Sequence, residues 1–327
     1  MAQELILPAA TNTITPTSAA TMPAIVAEAG AAAEFALDEF FAAHIRNPHT
    51  RAAYFHAVYR FLAWIQSESL PLARITPGKV GNYFNQHHGS PATRRLHLAA
   101  VRAFFDVMVI RHVLPFNPAA SVRGDREQVI EGKTPEITVA QARYVLKSID
   151  AGTILDLRDK AIIGILIYTA ARAGAVARLR RQHLSYDGTQ WTLRFDEKGG
   201  KSREIPVRHD LQGVILAYLK AAEVVGTLDG AAPLFRSVNG ITGRLTDGPI
   251  SGIDICRMVK RRLRAAGLPE RLSPHSFRVA TITDLLTQGA PLEDVAYLAG
   301  HADPRTTRLY DRRAKQVTRN LVEKISI

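Results

Sequence analysis

A histidine, an arginine, a second histidine and a tyrosine fall in order towards the end of the sequence: His275, Arg278, His301 and Tyr310. Guanidinium and imidazole groups donate hydrogen bonds to phosphate oxygens, and a phenol can attack phosphorus, so the set suits phosphoryl chemistry. Ser273 and Pro274 form an N-cap and a first-turn proline, which predicts a helix starting there and stopping near Gly289. His275 and Arg278 stand three apart in its first turn, within reach of one target, where free amide hydrogens and the dipole favour an anion. Pro291 opens a short helix over 292–299 that Gly300 closes as a left-handed cap, with His301 exposed at the corner. Asp303 and Pro304 then cap a third helix carrying Tyr310 near its end. Taken singly, each feature has a bland reading: a chance H-x-x-R, a solvated imidazole after a helix cap, a half-buried tyrosine. The ordered set is hard to explain as packing.

His275-x-x-Arg278, Leu298-Ala299-Gly300-His301 and Tyr310 resemble, in order and spacing, the C-terminal signature of the tyrosine recombinases, the phage integrase family. The resemblance implies a site-specific DNA recombinase that integrates, excises or resolves DNA through a 3′-phosphotyrosine and a Holliday junction. Tyr310 would attack phosphorus, Arg172 and Arg278 would hold the non-bridging oxygens with His301 as a third donor, and His275 is the candidate to activate the phenol. The bond energy is kept in the protein–DNA link, so rejoining needs no ATP. Neither a metal nor another cofactor is required, because the arginines supply positive charge.

The remaining site residues depend on elements upstream. The apolar run 161–168 is central core, and it delivers Arg172, which matches the first arginine of the family's T-G-L-R element. An arginine closing so apolar a segment is expected to need a partner, a structural salt bridge being the alternative to a catalytic role. The family usually has glycine where this chain has Ala170, and an acidic residue where it has Ala175. Residues 190–195 and 202–207 alternate as strands around 197–201, which predicts a β-hairpin with lysine on its turn. Lys198 resembles the family's hairpin lysine, the acid for the leaving 5′ oxygen; Lys201 is the competing assignment. Helices are expected over 137–149, 155–170, 212–225 and 250–266, the last carrying Arg257, Lys260, Arg261, Arg262 and Arg264 as a basic cluster for backbone phosphates. After Tyr310, the run 316–327 carries Val317, Leu321, Val322 and Ile325 on one face. The resemblance makes it a helix that docks on a neighbouring protomer, the alternative being that it folds back on its own domain.

Residues 1–33, rich in Ala, Thr and Pro, read as a flexible tail. Four amphipathic helices follow, over 34–45, 49–66, from Pro77 to before Gly89, and from Pro91 towards Val113, and make a bundle. This bundle, 34–118, is similar to the family's core-binding domain, a SAM-like helical fold. Arg51, Lys79, Arg94 and Arg95 are its candidate DNA contacts, against a plain solvated-surface reading of each. Residues 119–136 read as a linker, and 137–327 as the catalytic domain. The fold class is therefore mainly α with a small β-hairpin, two domains closing as a clamp around DNA.

Composition fits this reading. The 327 residues are 46% hydrophobic and 22% charged, ordinary for a globular chain, but the net charge is +12. The first 130 residues carry 11 basic and 9 acidic side chains against 31 and 21 in the rest, so the excess lies with the candidate site. Cys256 is the only cysteine, which excludes internal disulfides and cysteine metal clusters. No segment reads as a membrane span or export signal, so a cytoplasmic, nucleoid-associated location is expected. The expected partners are duplex DNA with specific sites, further copies forming a homotetramer on DNA from a free monomer or dimer, and accessory DNA-bending proteins. Two rivals stand beside the recombinase: a type IB topoisomerase with similar chemistry on one duplex, and a binding-only relative, for which Ala175 speaks.

Overall fold

The computed structural model describes residues 22–125, 134–196, 202–222 and 229–310. The chain divides into two compact units, Met1–Gln128 and Val129–Ile327.

In the first unit the elements are α1 (Ala24–Ala27), α2 (Ala31–Glu39), continued by a π-helical turn Phe40–His44, α3 (Pro48–Ser67), α4 (Pro77–Asn85) and α5 (Pro91–Ile110). Polar caps and prolines set the starts of the last three. Asn47 accepts from His49 and Thr50, Thr76 from Lys79, and Ser90 from Thr93, each followed by Pro at the first helical position. The core joins Phe40, Phe61, Leu62, Ile65, Phe104 and Phe105, all essentially buried. Two expectations need correction. The tail does not extend to residue 33: α1 puts Ile25 and Val26 in this core, a pair of apolar side chains too short to show a period in the sequence. Phe35 faces solvent, with the Arg111 guanidinium 5.5 Å above its ring. The expected linker also begins too early. Ala119 is buried in the first unit's core, and Arg102 donates to the carbonyls of Ala119 and Val122.

The second unit contains α6 (Val139–Ser148), α7 (Ile154–Tyr168), α8 (Ala173–Ala177), β1 (Leu184–Tyr186), β2 (Trp191–Asp196), β3 (Ser202–Pro206), α9 (His209–Ala221), β4 (Arg236–Val238), β5 (Leu245–Pro249), α10 (Gly252–Ala265), α11 (Pro274–Thr287), α12 (Leu292–Ala299) and α13 (Pro304–Arg308). Helix α7 is the axis: Ile162, Ile163, Ile165 and Leu166 are fully buried, each contributing about 1.5–3 kcal/mol. Strands β1, β2 and β3 form an antiparallel sheet in that order, with Leu193 opposite Ile205 and Phe195 opposite Arg203. The expected hairpin is therefore present in its strands, while its turn, with Lys198 and Lys201, lies outside the described residues. So does the run 316–327. Strand β1 and the β4–β5 pair were not expected; three residues are too few for alternation, and Asp247, Gly248 and Pro249 disguise β5. No described helix is long and apolar enough to cross a membrane.

Candidate active site

The site forms where α7, α11, α12 and α13 end or begin. Ser273 and Ser276 make a reciprocal capping box around Pro274, which fixes the first turn of α11. That turn exposes His275 and buries Arg278, which is 1% exposed and the largest fully buried side chain among the described residues. Nη1 of Arg278 donates to the carbonyls of Ala170 and Ala299, each at 2.5 Å. Its Nε and Nη2 are buried without a hydrogen-bond partner. Burial, then the nearby charge of Arg172, lowers the Arg278 pKa to about 10, so it remains a cation at neutral pH.

Helix α12 ends at Gly300 in the left-handed conformation, φ 64° and ψ 44°, and the turn places His301. Its Nδ1 lies 2.8 Å from the hydroxyl of fully buried Thr307, and its Nε2 is buried without a partner. Burial and the charges of Arg278 and Arg172 lower the His301 pKa to about 3. Partial desolvation against its neighbours, then the same two charges, lowers that of His275, although the ring stays open to solvent. Both rings are thus neutral near pH 7.

Asp303 caps α13, and Tyr310 follows the helix, its carbonyl accepting from the Thr283 hydroxyl on α11 at 3.3 Å. The Tyr310 hydroxyl is 3.1 Å from Nε2 of His275. Its ring stacks on His301, centroids 5.6 Å apart and planes 19° from parallel. One phenol therefore touches both histidines beside the buried guanidinium.

Arg172 is the N-cap of α8 and is exposed. Its charge nevertheless reaches His275, Arg278 and His301. Ala170, just before it, is fully buried with a left-handed φ of 50°. Ala175 packs inward on α8 at 9% exposure. Thus Arg172, His275, Arg278, His301 and Tyr310 converge, and Lys198 stands outside the described residues.

The candidate DNA contacts are placed differently. On α10, Arg262 is drawn inward to Asp156 and Asp159, an arrangement that spends its charge on the fold. Arg261 also pairs with Asp159 but stays 62% exposed, and Arg264 is exposed beside Glu270. In the first unit Arg51 donates twice to the Ile45 carbonyl, Lys79 pairs with Glu68 and Arg94 with Asp125, while Arg95 is half-buried. Sequence reasoning missed Thr307 and Arg203. Nothing in the sequence marks Thr307, whereas Arg203 shares the inward strand period of Ile205 and could have been singled out for that.

Comparison with known proteins points the same way. Residues 136–317 match the phage integrase family, and residues 37–112 match the phage integrase N-terminal SAM-like domain. Tyrosine recombinase XerC of Myxococcus xanthus is 28% identical over 286 residues, 83% of this chain and 91% of that protein. Tyrosine recombinase XerD of Chlorobaculum tepidum is 26% identical over 282 residues, 80% and 85% of the two chains. A crystal structure of XerH site-specific recombinase bound to a palindromic difH substrate is similar with a TM-score of 0.68 at 18% identity, covering 84% of this chain and 78% of that one. At that identity the likeness concerns the fold.

Proposed function

The chain belongs to the phage integrase family, and on that premise we propose that it is a site-specific DNA recombinase in which Tyr310 is the nucleophile. The observation that carries this assignment is the contact of Tyr310 with His275 and His301 beside the two unpartnered nitrogens of Arg278.

The enzyme breaks and rejoins DNA. The Tyr310 oxygen bonds to phosphorus as the bond to the 5′ oxygen breaks, leaving a 3′-phosphotyrosine and a free 5′ hydroxyl. Neutral His275 accepts the phenol proton through Nε2. Nε and Nη2 of Arg278 lie on one edge of the guanidinium plane and offer two parallel bonds to non-bridging oxygens. Arg172 and Nε2 of His301 add further donors, so charge developing on the oxygens meets groups already in place. Lys198 protonates the departing 5′ oxygen. Attack by a 5′ hydroxyl of the partner duplex reverses each step and exchanges strands, by way of a Holliday junction.

The working form is a homotetramer on two duplexes, monomeric or dimeric when free, joined by accessory DNA-bending proteins on the nucleoid. Arg261, Arg264 and Lys201 contact backbone phosphates from the catalytic domain, and Arg94 and Arg95 from the core-binding domain.

The test is covalent capture. Nicked DNA from beside the protein's own gene is incubated in EDTA, denatured, and assayed for DNA bound to protein, with Tyr310→Phe as control. Adducts with wild type alone support the assignment, and exchange between two sites then separates a recombinase from a topoisomerase. Tight binding without adducts would transfer the reading to a DNA-binding relative, and Ala175→Glu would be the first reversion to make.

A further inference from the structure

Arg203 occupies a position where a core side chain is expected. It lies on β3 in alternation with buried Ile205, directly opposite Phe195 on β2, and is itself only 4% exposed. Its guanidinium lies over the Phe195 ring at 4.7 Å. Burying a cation on the inner face of a sheet is costly unless its protons are used. Nη1 donates to the carbonyl of Leu298 and, at 3.3 Å, to that of Thr169.

Those two acceptors are neighbours of the pair held by Arg278, whose Nη1 reaches Ala170 and Ala299. The two guanidiniums therefore grip consecutive carbonyls on each of two strands of chain, 169 and 170 on one, 298 and 299 on the other. These carbonyls lie at the C-terminal ends of α7 and α12, where helices leave acceptors unsatisfied and a negative dipole end favours cations. The backbone is left-handed at Ala170, itself gripped, and at Gly300, just past Ala299. Two residues past each gripped pair stands a group of the site, Arg172 after Ala170 and His301 after Ala299. Neither group is placed by helical periodicity, and the grip joins the two segments that carry them.

We propose that Arg203 is a positioning residue of the cleavage site, which with Arg278 clamps the segment bearing Arg172 to the segment bearing His301. The division of labour follows from burial and bonding. Arg278 keeps Nε and Nη2 for the phosphate, while Arg203, covered by Phe195, holds the frame. Behind burial and the nearer guanidiniums, the charge of Arg203 also bears on Arg278 and His301. The role rests on the assignment of Tyr310 as nucleophile, and the test keeps the two apart.

Arg203→Lys retains a cation that can reach one carbonyl but not the flat, spread geometry of the clamp. Single-turnover adduct formation on nicked DNA is expected to fall by about tenfold to a hundredfold, as for a misplaced reactive group. DNA affinity should change by less than about threefold, a loss confined to the chemical step. In a His301→Gln background the same change should cost less than about threefold, because the group it positions is gone. Wild-type rates, an equal loss in both backgrounds, or failure of Arg203→Lys to fold would each overturn the proposal. The His301 ring resonances in DNA-free protein provide a readout independent of cleavage: they should shift in Arg203→Lys. If wild-type protein forms no adduct, the nucleophile assignment fails, and unmoved His301 resonances would still separately dispose of the clamp.

Discussion

The Tyr310 hydroxyl lies 3.1 Å from Nε2 of His275, close enough for the imidazole to take the phenol proton. Partial desolvation against its neighbours first, then the charges of Arg278 and Arg172, hold His275 below its ordinary value, so it is neutral and receptive at pH 7. Protonation would occupy Nε2 and stop that transfer. Adduct formation should therefore be level above about pH 6.5 and fall only below it. His275→Gln should lower the single-turnover rate by about 10²–10⁴-fold and remove the acidic limb. An unchanged acidic limb in this variant would show that another group governs it.

Ala170 carries a left-handed φ of 50° while fully buried, at a position where the family usually has glycine. The Cβ costs roughly 1–2 kcal/mol in that conformation, and glycine gives back part of the gain as unfolded-chain entropy, about 0.4–1 kcal/mol. Ala170→Gly should raise stability by about 0.5–1 kcal/mol, seen as a melting temperature a few degrees higher. Ala170→Val, stiffer at this φ, should lower it. A glycine variant that melts earlier would mean the Ala170 methyl contributes more packing than strain.

How far the site was legible follows from what each residue depends on. His275, Arg278, His301 and Tyr310 sit beside caps, prolines and a glycine that fix their helices locally, so their helix edges could be read from spacing, while their roles rest on the family resemblance. The strands flanking Lys198 alternate clearly enough to be drawn, although their inward arginine passed unnoticed. Arg262 shows the limit. On α10 it belongs by periodicity to a basic face, yet Asp156 and Asp159, more than 100 positions earlier, turn it inward. Acceptors for Arg203 and Arg278 are backbone carbonyls, which carry no side-chain signature at all.

Asp159 is fully buried and meets Arg158, Arg261 and Arg262 at 2.8–2.9 Å. Replacing it by alanine leaves three guanidiniums around an apolar core without their shared counter-charge. Asp159→Ala should cost about 3–5 kcal/mol in chemical denaturation. Arg264→Ala breaks only an exposed pair with Glu270 and should cost under about 1 kcal/mol. Its effect belongs in DNA binding: the slope of log affinity against log salt should become shallower by about one. A slope unaltered by Arg264→Ala would remove that residue from the phosphate contacts.

Arg278 holds a charge in a place that disfavours it. Its pKa falls from 12.5 to about 10, which is on the order of 3 kcal/mol against the cation in DNA-free protein. An oxyanion bound at Nε and Nη2 offsets that cost, so sulfate or vanadate should raise the melting temperature of wild type beyond sodium chloride of equal ionic strength. Arg278→Lys lacks the paired in-plane donors and should lose most of the shift. The pH dependence has a definite sign. His275 and His301 are lowered in the folded protein, His301 to about 3, so the unfolded chain binds more protons below the ordinary histidine value. Stability without anion should then be complete above about pH 6.5 and decline as pH falls. A bound anion raises the His301 value and so binds with uptake of a proton, which makes the anion-induced shift grow as the solution is acidified. A shift equal in Arg278→Lys, or one that shrinks on acidification, would place the anion elsewhere.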